Sequence, residues 1–236
     1  ALLARTPVTA ELTVYSLLLF IPLGMLSGVA SGWQKDKAVD IRFRLAAFIA
    51  ASLPVFILAL MLMAIFYVGL GWFAPERLSI QSSMDVRSQD FRTITGFLTI
   101  DGLLNGRRDI AADAALHLVM PVFTLSLLHW ATLGRVTRAA IIDEKQKDYI
   151  LAGKARGLPD RRLKWVHALR NVISPALTSS ALSAASMFTG VFIVEVIYNF
   201  KGISELVVVG TMGIPDAPTV LGFAVYSVIV VVFLML

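Results

Sequence analysis

Apolar residues along this chain are gathered into five long blocks separated by charged stretches. The blocks cover residues 12–32, 45–72, 117–134, 172–198 and 219–236. A helix needs about 20 consecutive apolar residues to cross the hydrocarbon core of a bilayer, and these blocks approach or exceed that length. Four blocks contain a proline, which a membrane helix tolerates as a kink: Pro22, Pro54, Pro121 and Pro175. The pattern predicts an all-α, polytopic transmembrane helical bundle with about five spans.

The charged stretches between the blocks alternate in sign. Residues 33–44 carry four basic side chains, and residues 135–170 carry ten basic against four acidic ones. By contrast, residues 73–116 hold five basic and six acidic side chains, and residues 198–218 hold one and two. Cytoplasmic loops of membrane proteins collect Lys and Arg. The alternation therefore predicts that 33–44 and 135–170 are cytoplasmic and that the other two stretches are external.

Composition excludes several kinds of chemistry. The chain is 57% hydrophobic with a net charge of +5, and the predicted topology accounts for the charge without a nucleic-acid partner. The absence of cysteine excludes disulfides, thiolate metal sites and cysteine nucleophiles. His117 and His129 are expected to serve packing or hydrogen bonding. The chain also lacks a G-x-x-x-x-G-K-[ST] nucleotide loop, so we expect no catalytic, cofactor or metal site on it.

Small residues form stripes on two of the predicted spans. Gly24, Gly28 and Gly32 recur every four residues and so share one helix face, while Ala176, Ser180 and Ala184 do the same in the fourth block. Helices in lipid associate through close packing, which small residues permit. The stripes predict either ordinary helix packing or a tight seam lining a moving interface.

The predicted external segment, 73–116, has the mixed polarity of a folded ledge. Within it, residues 94–104 (ITGFLTIDGLL) predict a short interfacial or re-entrant helix, since they are too short to span. Phe91, Phe97, Ile100 and Leu103 are expected to pack the ledge. Aromatic residues at span ends match the belt at membrane interfaces: Trp33, Trp72 and Tyr198.

Glu195 lies near the outer end of the fourth block. An ionisable group inside a span is a functional candidate, so Glu195 could belong to a translocation path or gate. The alternative is a structural tie to an arginine of the external segment, such as Arg107 or Arg108.

The basic stretch from 148 to 178 is longer than a connection between two spans requires. Helix formers predict a continuous helix over residues 135–155, Gly157 interrupts it, and Pro159 with Asp160 starts a second helix. Small residues near the break would let another protein surface approach. A basic helix lying on anionic lipid headgroups is the alternative.

The motifs of this stretch carry a family resemblance. The pattern D-Y-I-x-x-x-K-A-R-G-L begins at Asp148, and R-R-x-x-x-x-H-A-L-R-N-x-x-x-P runs from Arg161 to Pro175. Together with residues 94–104, 117–127 and 189–206, this order resembles binding-protein-dependent ABC importer permeases. It is most similar to the first of the two paired permeases in the dipeptide, oligopeptide and nickel branch. The resemblance covers most of the chain from Thr6 onward, with departures at Gly153 and in the turn at 199–202.

This resemblance implies that residues 1–236 form one permease domain, incomplete at both ends, in a bacterial or archaeal inner membrane. Its partners would be a second homologous permease subunit, an extracytoplasmic substrate-binding protein and two ATPase subunits, which hold the ATP and Mg. The 135–170 segment, chiefly 143–170, would be the coupling element. Its contact residues would be Asp148, Tyr149, Ala152, Gly153, Ala155, Arg156, Gly157, Arg161 and Arg162.

Two other readings remain open from the residues alone. A secondary transporter usually places several ionisable groups near mid-membrane, and few occur here. An intramembrane enzyme would need a nucleophile such as Ser27 or Ser52 paired with a base. The solute also stays open, since similar permeases carry dipeptides, longer peptides, nickel chelates, glutathione or sugars.

Overall fold

A computed structural model describes residues 2–88 and 90–211, with single positions from 218 to 232 (218, 221, 222, 224–226, 228, 229 and 232). The described part of the chain forms helices and loops and contains no strand. The fifth predicted span, 219–236, falls mainly outside the described residues.

Three long helices form the centre of the bundle. They are α1 (Leu2–Trp33), α6 (Arg108–Glu144) and a 38-residue helix over Asp160–Ile197. The last comprises α8 (Asp160–Arg162), a π-helical stretch (Leu163–Ala168) and α9 (Leu169–Ile197). All three are long and apolar enough to cross a membrane. As predicted, they contain prolines in their interior: Pro22, Pro121 and Pro175.

The second predicted span is a broken helix, so its prediction as one kinked helix was wrong. α2 (Ala38–Ser52) and α3 (Val55–Leu62, continued by the π-helical Met63–Gly69) meet at an angle of 100°. Leu53 adopts an extended conformation, with φ −91° and ψ 119°. Proline disfavours the helical conformation in the residue before it, and Pro54 therefore ends α2 instead of merely bending it.

The broken pair still reaches both ends of the bundle. Asp40 in α2 is paired with Arg138 near the end of α6. Beyond α3, Tyr67 lines a cavity together with Asp113 and His117 at the start of α6. Asp113 and Arg138 are roughly 37 Å apart along α6 at about 1.5 Å per residue. The two ends of the pair therefore lie beside opposite parts of α6, near Asp113 and near Arg138.

The glycine stripe of α1 lies directly against α6. A Cβ added at Gly28 would lie 2.6 Å from the Gly134 carbonyl oxygen and 2.7 Å from Thr137 Cβ. A Cβ at Gly32 would lie 2.6 Å from the Arg138 carbonyl oxygen, whereas Gly24 faces only the Leu133 side chain, at 3.0 Å. Successive glycines along α1 face residues that come successively later along α6. The two helices therefore run parallel, with their backbones nearly in contact.

α9 runs in the opposite direction, and its end is fixed by Tyr198. This residue is fully buried. Its hydroxyl donates to the Ala59 carbonyl oxygen (3.2 Å) and lies 3.0 Å from the Thr124 hydroxyl. The prediction that Tyr198 and Trp33 belong to the interfacial belt was wrong, because both side chains are buried in the bundle; Trp33 is 6% exposed. Trp72, the third predicted belt residue, is 53% exposed.

Residues 73–107 form an ordered ledge at one end of the bundle. It contains α4 (Ile80–Val86) and α5 (Leu98–Leu104), the second within the predicted short helix. Leu78 and Leu98 pack with Ile110 and Ala114 of α6, and Phe91 packs against this cluster. Ile100 and Leu103, expected to pack the ledge, are instead exposed, because they line an open apolar groove beside Ala111 and Ala115 of α6.

The ledge is tied to α1 by a buried carboxylate. Glu11 accepts hydrogen bonds from the Thr99 backbone N–H (3.1 Å) and hydroxyl (2.7 Å). Its other oxygen is paired with the Arg77 guanidinium at 2.5 Å. A buried charge is stable only when it is paired and hydrogen-bonded, and Glu11 meets both conditions.

Asp101 holds the loop before α5 in place. Its carboxylate accepts from the backbone N–H groups of Ile94 (3.3 Å), Thr95 (2.8 Å) and Gly96 (2.9 Å) and from the Thr95 hydroxyl (2.7 Å). Burial alone would raise the pKa of Asp101, but these hydrogen bonds outweigh it and lower the pKa below 3.8. Charged Asp101 therefore stabilises the ledge.

This lowered pKa predicts a pH-dependent ledge. The stabilisation is complete above pH 3.8 and is lost as the pH falls further, through the pKa in the folded state. Asp101→Asn is expected to lose it at every pH, since a neutral amide is a weaker acceptor. Amide hydrogen exchange at residues 94–96 should therefore be faster in Asp101→Asn than in the parent at pH 6. Equal exchange at pH 6 would contradict this role for Asp101.

Candidate functional site

The opposite end of the bundle carries a helical hairpin, formed by residues 148–168. α6 ends at Glu144, and α7 covers Asp148–Ala155. The predicted continuous helix over 135–155 was therefore wrong, because a turn at 145–147 separates α6 from α7. The turn directs Ile150 into the bundle, where it is fully buried.

The hairpin is anchored to three long helices by one apolar cluster. Ile150 and Leu163 of the hairpin pack in the same cluster as Val29 of α1, Ile141 of α6 and Val172 of α9. Each of these five side chains is at most 1% exposed. Close-packed interiors transmit displacement instead of absorbing it. A push on the hairpin would therefore reach all three helices.

Gly157 makes the bend between the two arms of the hairpin, as the sequence predicted. Its φ is +77°, a left-handed conformation that glycine adopts without steric cost. The Gly157 N–H donates to the Lys154 carbonyl (2.9 Å), and the Leu158 N–H donates to the Gly153 carbonyl (3.1 Å). These two bonds form a Schellman cap at the end of α7.

Gly153 has a different role from the one implied by the family resemblance. It is buried, and a Cβ there would lie 2.6 Å from Leu163 Cδ2. The glycine thus allows the arms of the hairpin to close on each other. The prediction that Gly153 contacts a partner subunit was therefore wrong, because Leu163 already covers this residue.

The other eight predicted contact residues are solvent-exposed in this chain. Tyr149 is 38% exposed, and the neighbouring Leu151, which the sequence did not single out, is 55% exposed. Val166 on the second arm is 56% exposed. Apolar patches rimmed by polar residues mark surfaces that contact another protein or a membrane. The eight exposed residues that were predicted to contact a partner are Asp148, Tyr149, Ala152, Ala155, Arg156, Gly157, Arg161 and Arg162.

Glu144, the last residue of α6, joins the base of the hairpin to α9. Its carboxylate accepts from the Tyr149 hydroxyl and, at 3.2 Å, from the Asn171 side-chain amide. The same amide lies 3.1 Å from the Tyr149 oxygen. Burial, together with the adjacent carboxylate, raises the pKa of Tyr149 to about 12. Tyr149 thus stays protonated at neutral pH and continues to donate to Glu144.

A buried ion pair fixes α2 beside the hairpin. Asp40 is fully buried, accepts from the Ser31 hydroxyl at 2.6 Å and pairs with two nitrogens of Arg138, at 2.5 and 2.7 Å. A bidentate arginine–carboxylate pair restricts orientation as well as distance. It holds the ends of α1, α2 and α6 together where the hairpin begins.

Glu195 is buried at the opposite end of the bundle, with 1% of its surface exposed. Its carboxylate accepts from the hydroxyls of Thr9 and Ser204 and from the Ser204 backbone N–H (3.0 Å). The predicted tie to Arg107 or Arg108 is wrong, since Arg107 pairs with Asp85 and Asp109 in the ledge. Glu195 instead joins α9 to α1 and to α10 (Ile203–Thr211).

The turn at 199–202 is shaped around this carboxylate. Asn199 is left-handed, with φ +56°, and the Phe200 N–H donates to the Glu195 carbonyl at 2.8 Å. A Cβ on Gly202 would overlap the Glu195 carboxylate. The departure from the family pattern therefore still produces a tight helix cap, with asparagine supplying the left-handed residue.

The remaining candidates serve packing and local hydrogen bonding. His117 Nδ1 lies 3.1 Å from the Asp113 carbonyl oxygen, and the His129 ring packs 5.6 Å from that of Phe20. Ser27 and Ser52 donate to carbonyl oxygens of their own helices. Among the described residues, no group of three or more His, Cys, Asp or Glu side chains is arranged to hold a metal ion.

Comparison with known proteins gives consistent matches. The family described as "Binding-protein-dependent transport system inner membrane component" matches residues 21–236. The di/tripeptide transport system permease protein DppB of Pseudomonas aeruginosa is 31% identical over 199 residues, which are 84% of this chain and 57% of that protein. The probable D,D-dipeptide transport system permease protein DdpB of Escherichia coli is 30% identical over 219 residues, 93% of this chain and 63% of that protein.

A third relative is matched along almost the whole chain. The oligopeptide transport system permease protein AppB of Bacillus subtilis is 27% identical over 231 residues, 98% of this chain and 65% of that protein. The chain thus spans about three fifths of the length of the curated relatives it matches.

Proposed function

Because this chain belongs to the family of binding-protein-dependent transport system inner membrane components, we propose that it is a permease subunit of an ATP-driven importer. It is a multi-pass membrane protein and would form half of the translocation path beside a second, homologous subunit. The observation that carries the proposal is the hairpin of residues 148–168, which is exposed on one side and packed into three long helices on the other.

The hairpin would receive the motion of an ATPase subunit. Its excess of basic residues favours the cytoplasmic side, where ATP is available. Two ATPase subunits that bind ATP and Mg would close on each other and move a groove holding Asp148, Ala152 and Leu151. Packing of Ile150 against α1, α6 and α9 would convert that movement into displacement of the spans.

The solute would be a short peptide. Each of the three relatives is named for transport of dipeptides, di- and tripeptides or oligopeptides. A soluble extracytoplasmic binding protein would deliver the peptide at the ledge, residues 73–107, and beside the turn at 199–202. Glu195 would hold that turn against α1 and so fix the outer end of the path.

The positions of the buried carboxylates favour this function over that of a secondary transporter. Glu11, Asp40 and Glu195 are buried carboxylates, and all three lie toward the ends of the bundle with partners of their own. Secondary transporters place their ion and substrate sites near mid-membrane, in broken helices. The one broken helix among the described residues, α2–α3, has no ionisable side chain between Leu45 and Trp72 except Tyr67.

Reconstitution tests the proposal. The full-length chain should co-purify with a second permease and two ATPase subunits, and proteoliposomes of the complex should accumulate dipeptide only with ATP and the binding protein. Uptake driven by a proton or sodium gradient without ATP would contradict the proposal.

A further inference from the structure

A cleft of about 620 Å³ lies beside the hairpin, between the turn after α1 and the start of α8. Its lining is strongly basic. Lys37 lies in the turn, Lys145 at the end of α6, and Lys154 on α7. The second arm of the hairpin adds Arg161 and Lys164.

Most of these cations have no acidic partner. Asp160 is the one carboxylate in the lining. Among the described residues, no ion pair joins Lys37, Lys154, Arg161 or Lys164 to a carboxylate. Like charges gathered in a concave site repel each other and raise the local positive potential. An anion bound in the cleft would relieve this repulsion.

Two of the cations are held in position by tryptophan rings. The Lys145 ammonium donates to the Trp33 carbonyl at 2.7 Å and lies 5.5 Å from the centre of its ring. The Lys164 ammonium lies 4.7 Å from the ring centre of Trp165. These contacts reduce the freedom of both lysines before any ligand binds.

The cleft lies at the height of lipid headgroups. Trp33 is the last residue of α1, a span of 31 residues and so about 46 Å long at about 1.5 Å per residue. That length exceeds the hydrocarbon core and extends into the headgroup layers. The end of α1, with its cleft, therefore reaches the layer in which phosphate groups lie.

The cleft shares Arg161 with the predicted ATPase contacts but not Asp148 or Ala152. Lys154 follows Ala152 by two positions, which is about 200° around a helix of 3.6 residues per turn. Ala152 and Asp148 are exposed on the far side of α7. A ligand held by Lys154 would therefore leave Asp148 and Ala152 free, whereas Leu151 lies only about 60° from Lys154 around the helix.

We propose that this cleft binds the phosphate headgroup of an anionic phospholipid. Basic pockets between spans on the cytoplasmic side bind such headgroups. Here the lipid would bridge Lys37 on the α1–α2 turn and Lys154 and Lys164 on the two arms of the hairpin. It would thereby steady the hairpin against α1 while leaving Asp148 and Ala152 of α7 free.

Native mass spectrometry of the assembled, delipidated importer tests the proposal, with phosphatidylglycerol and phosphatidylcholine added in separate titrations. We expect the parent complex to retain phosphatidylglycerol in preference to phosphatidylcholine. The triple variant Lys37→Gln, Lys154→Gln, Lys164→Gln should bind phosphatidylglycerol about 100-fold more weakly, at roughly one tenfold step or less per cation removed. The matched control removes three exposed cations outside the cleft: Arg42→Gln, Arg44→Gln, Arg135→Gln.

Three results would overturn the proposal. The first is equal loss of lipid in the control variant, which would mean general surface attraction. The second is displacement of bound phosphatidylglycerol by inorganic phosphate at equal concentration, which would identify a soluble anion as the ligand. The third is unchanged lipid binding with loss of the ATPase subunits in the cleft variant, which would assign the cations to ATPase docking.

Discussion

Gly157→Val is expected to abolish ATP-driven uptake while the chain still inserts and assembles. A β-branched residue at φ +77° is strained by about 1–2 kcal/mol or more. A Cβ at this position meets no atom within 4 Å, so the whole effect arises from the backbone of the bend. The Schellman cap would open and the arms of the hairpin would change their angle. Peptide uptake into proteoliposomes is the measurement.

Two variants separate the bend from general damage. Gly157→Asn should keep most uptake, because asparagine tolerates the left-handed region. Gly71→Val introduces the same strain elsewhere, since Gly71 has φ +67° and equally open surroundings; its uptake should stay near the parent value. Normal uptake by Gly157→Val would remove the hairpin from the coupling mechanism.

Gly28→Ala is expected to destabilise the bundle by about 1–3 kcal/mol. The new methyl group would lie 2.6 Å from the backbone oxygen of Gly134 and 2.7 Å from Thr137 Cβ. Neither atom is the end of a flexible side chain, so α1 and α6 would have to separate. Thermal unfolding of the purified complex in detergent should show a lower midpoint.

Gly190→Ala provides the matched control. Gly190 also lies inside a long helix, but an added Cβ there approaches only the Leu125 side chain, at 3.4 Å. Its higher helix propensity should leave the midpoint unchanged or slightly raised. If Gly28→Ala and Gly190→Ala unfolded alike, the glycine stripe would not be the seam between α1 and α6.

The local sequence pattern was sufficient to predict the long spans and the bend at Gly157. Long apolar blocks predicted α1, α6 and α9, and glycine followed by proline predicted the turn at Gly157. Span ends were missed because a helix can continue into polar residues, where hydropathy no longer marks it. α6 covers Arg108–Glu144, whereas the apolar block covers 117–134. Whether Pro54 kinks or breaks the helix depends on whether neighbouring groups form hydrogen bonds with the backbone groups that proline leaves unbonded. Hydropathy does not reveal this.

Contacts between distant residues had no signal in the sequence. Glu11 meets Arg77 and Thr99, Asp40 meets Arg138, and Glu195 meets Thr9. A charged residue inside an apolar block, such as Glu195, shows that a partner is needed, but not which one. Gly153 was misplaced for the same reason, since its burial depends on Leu163 across the bend.

Site-directed crosslinking between the hairpin and an ATPase subunit tests the central claim most directly. The chain has no cysteine, so Ala152→Cys introduces a single reactive site on α7. Ser88→Cys, exposed at the ledge end, is the control. The assembled complex should crosslink to its ATPase subunit through residue 152, with a yield that changes when ATP binds, and not through residue 88. An Ala152→Cys complex that transports normally but forms no crosslink to the ATPase, with or without ATP, would contradict the account.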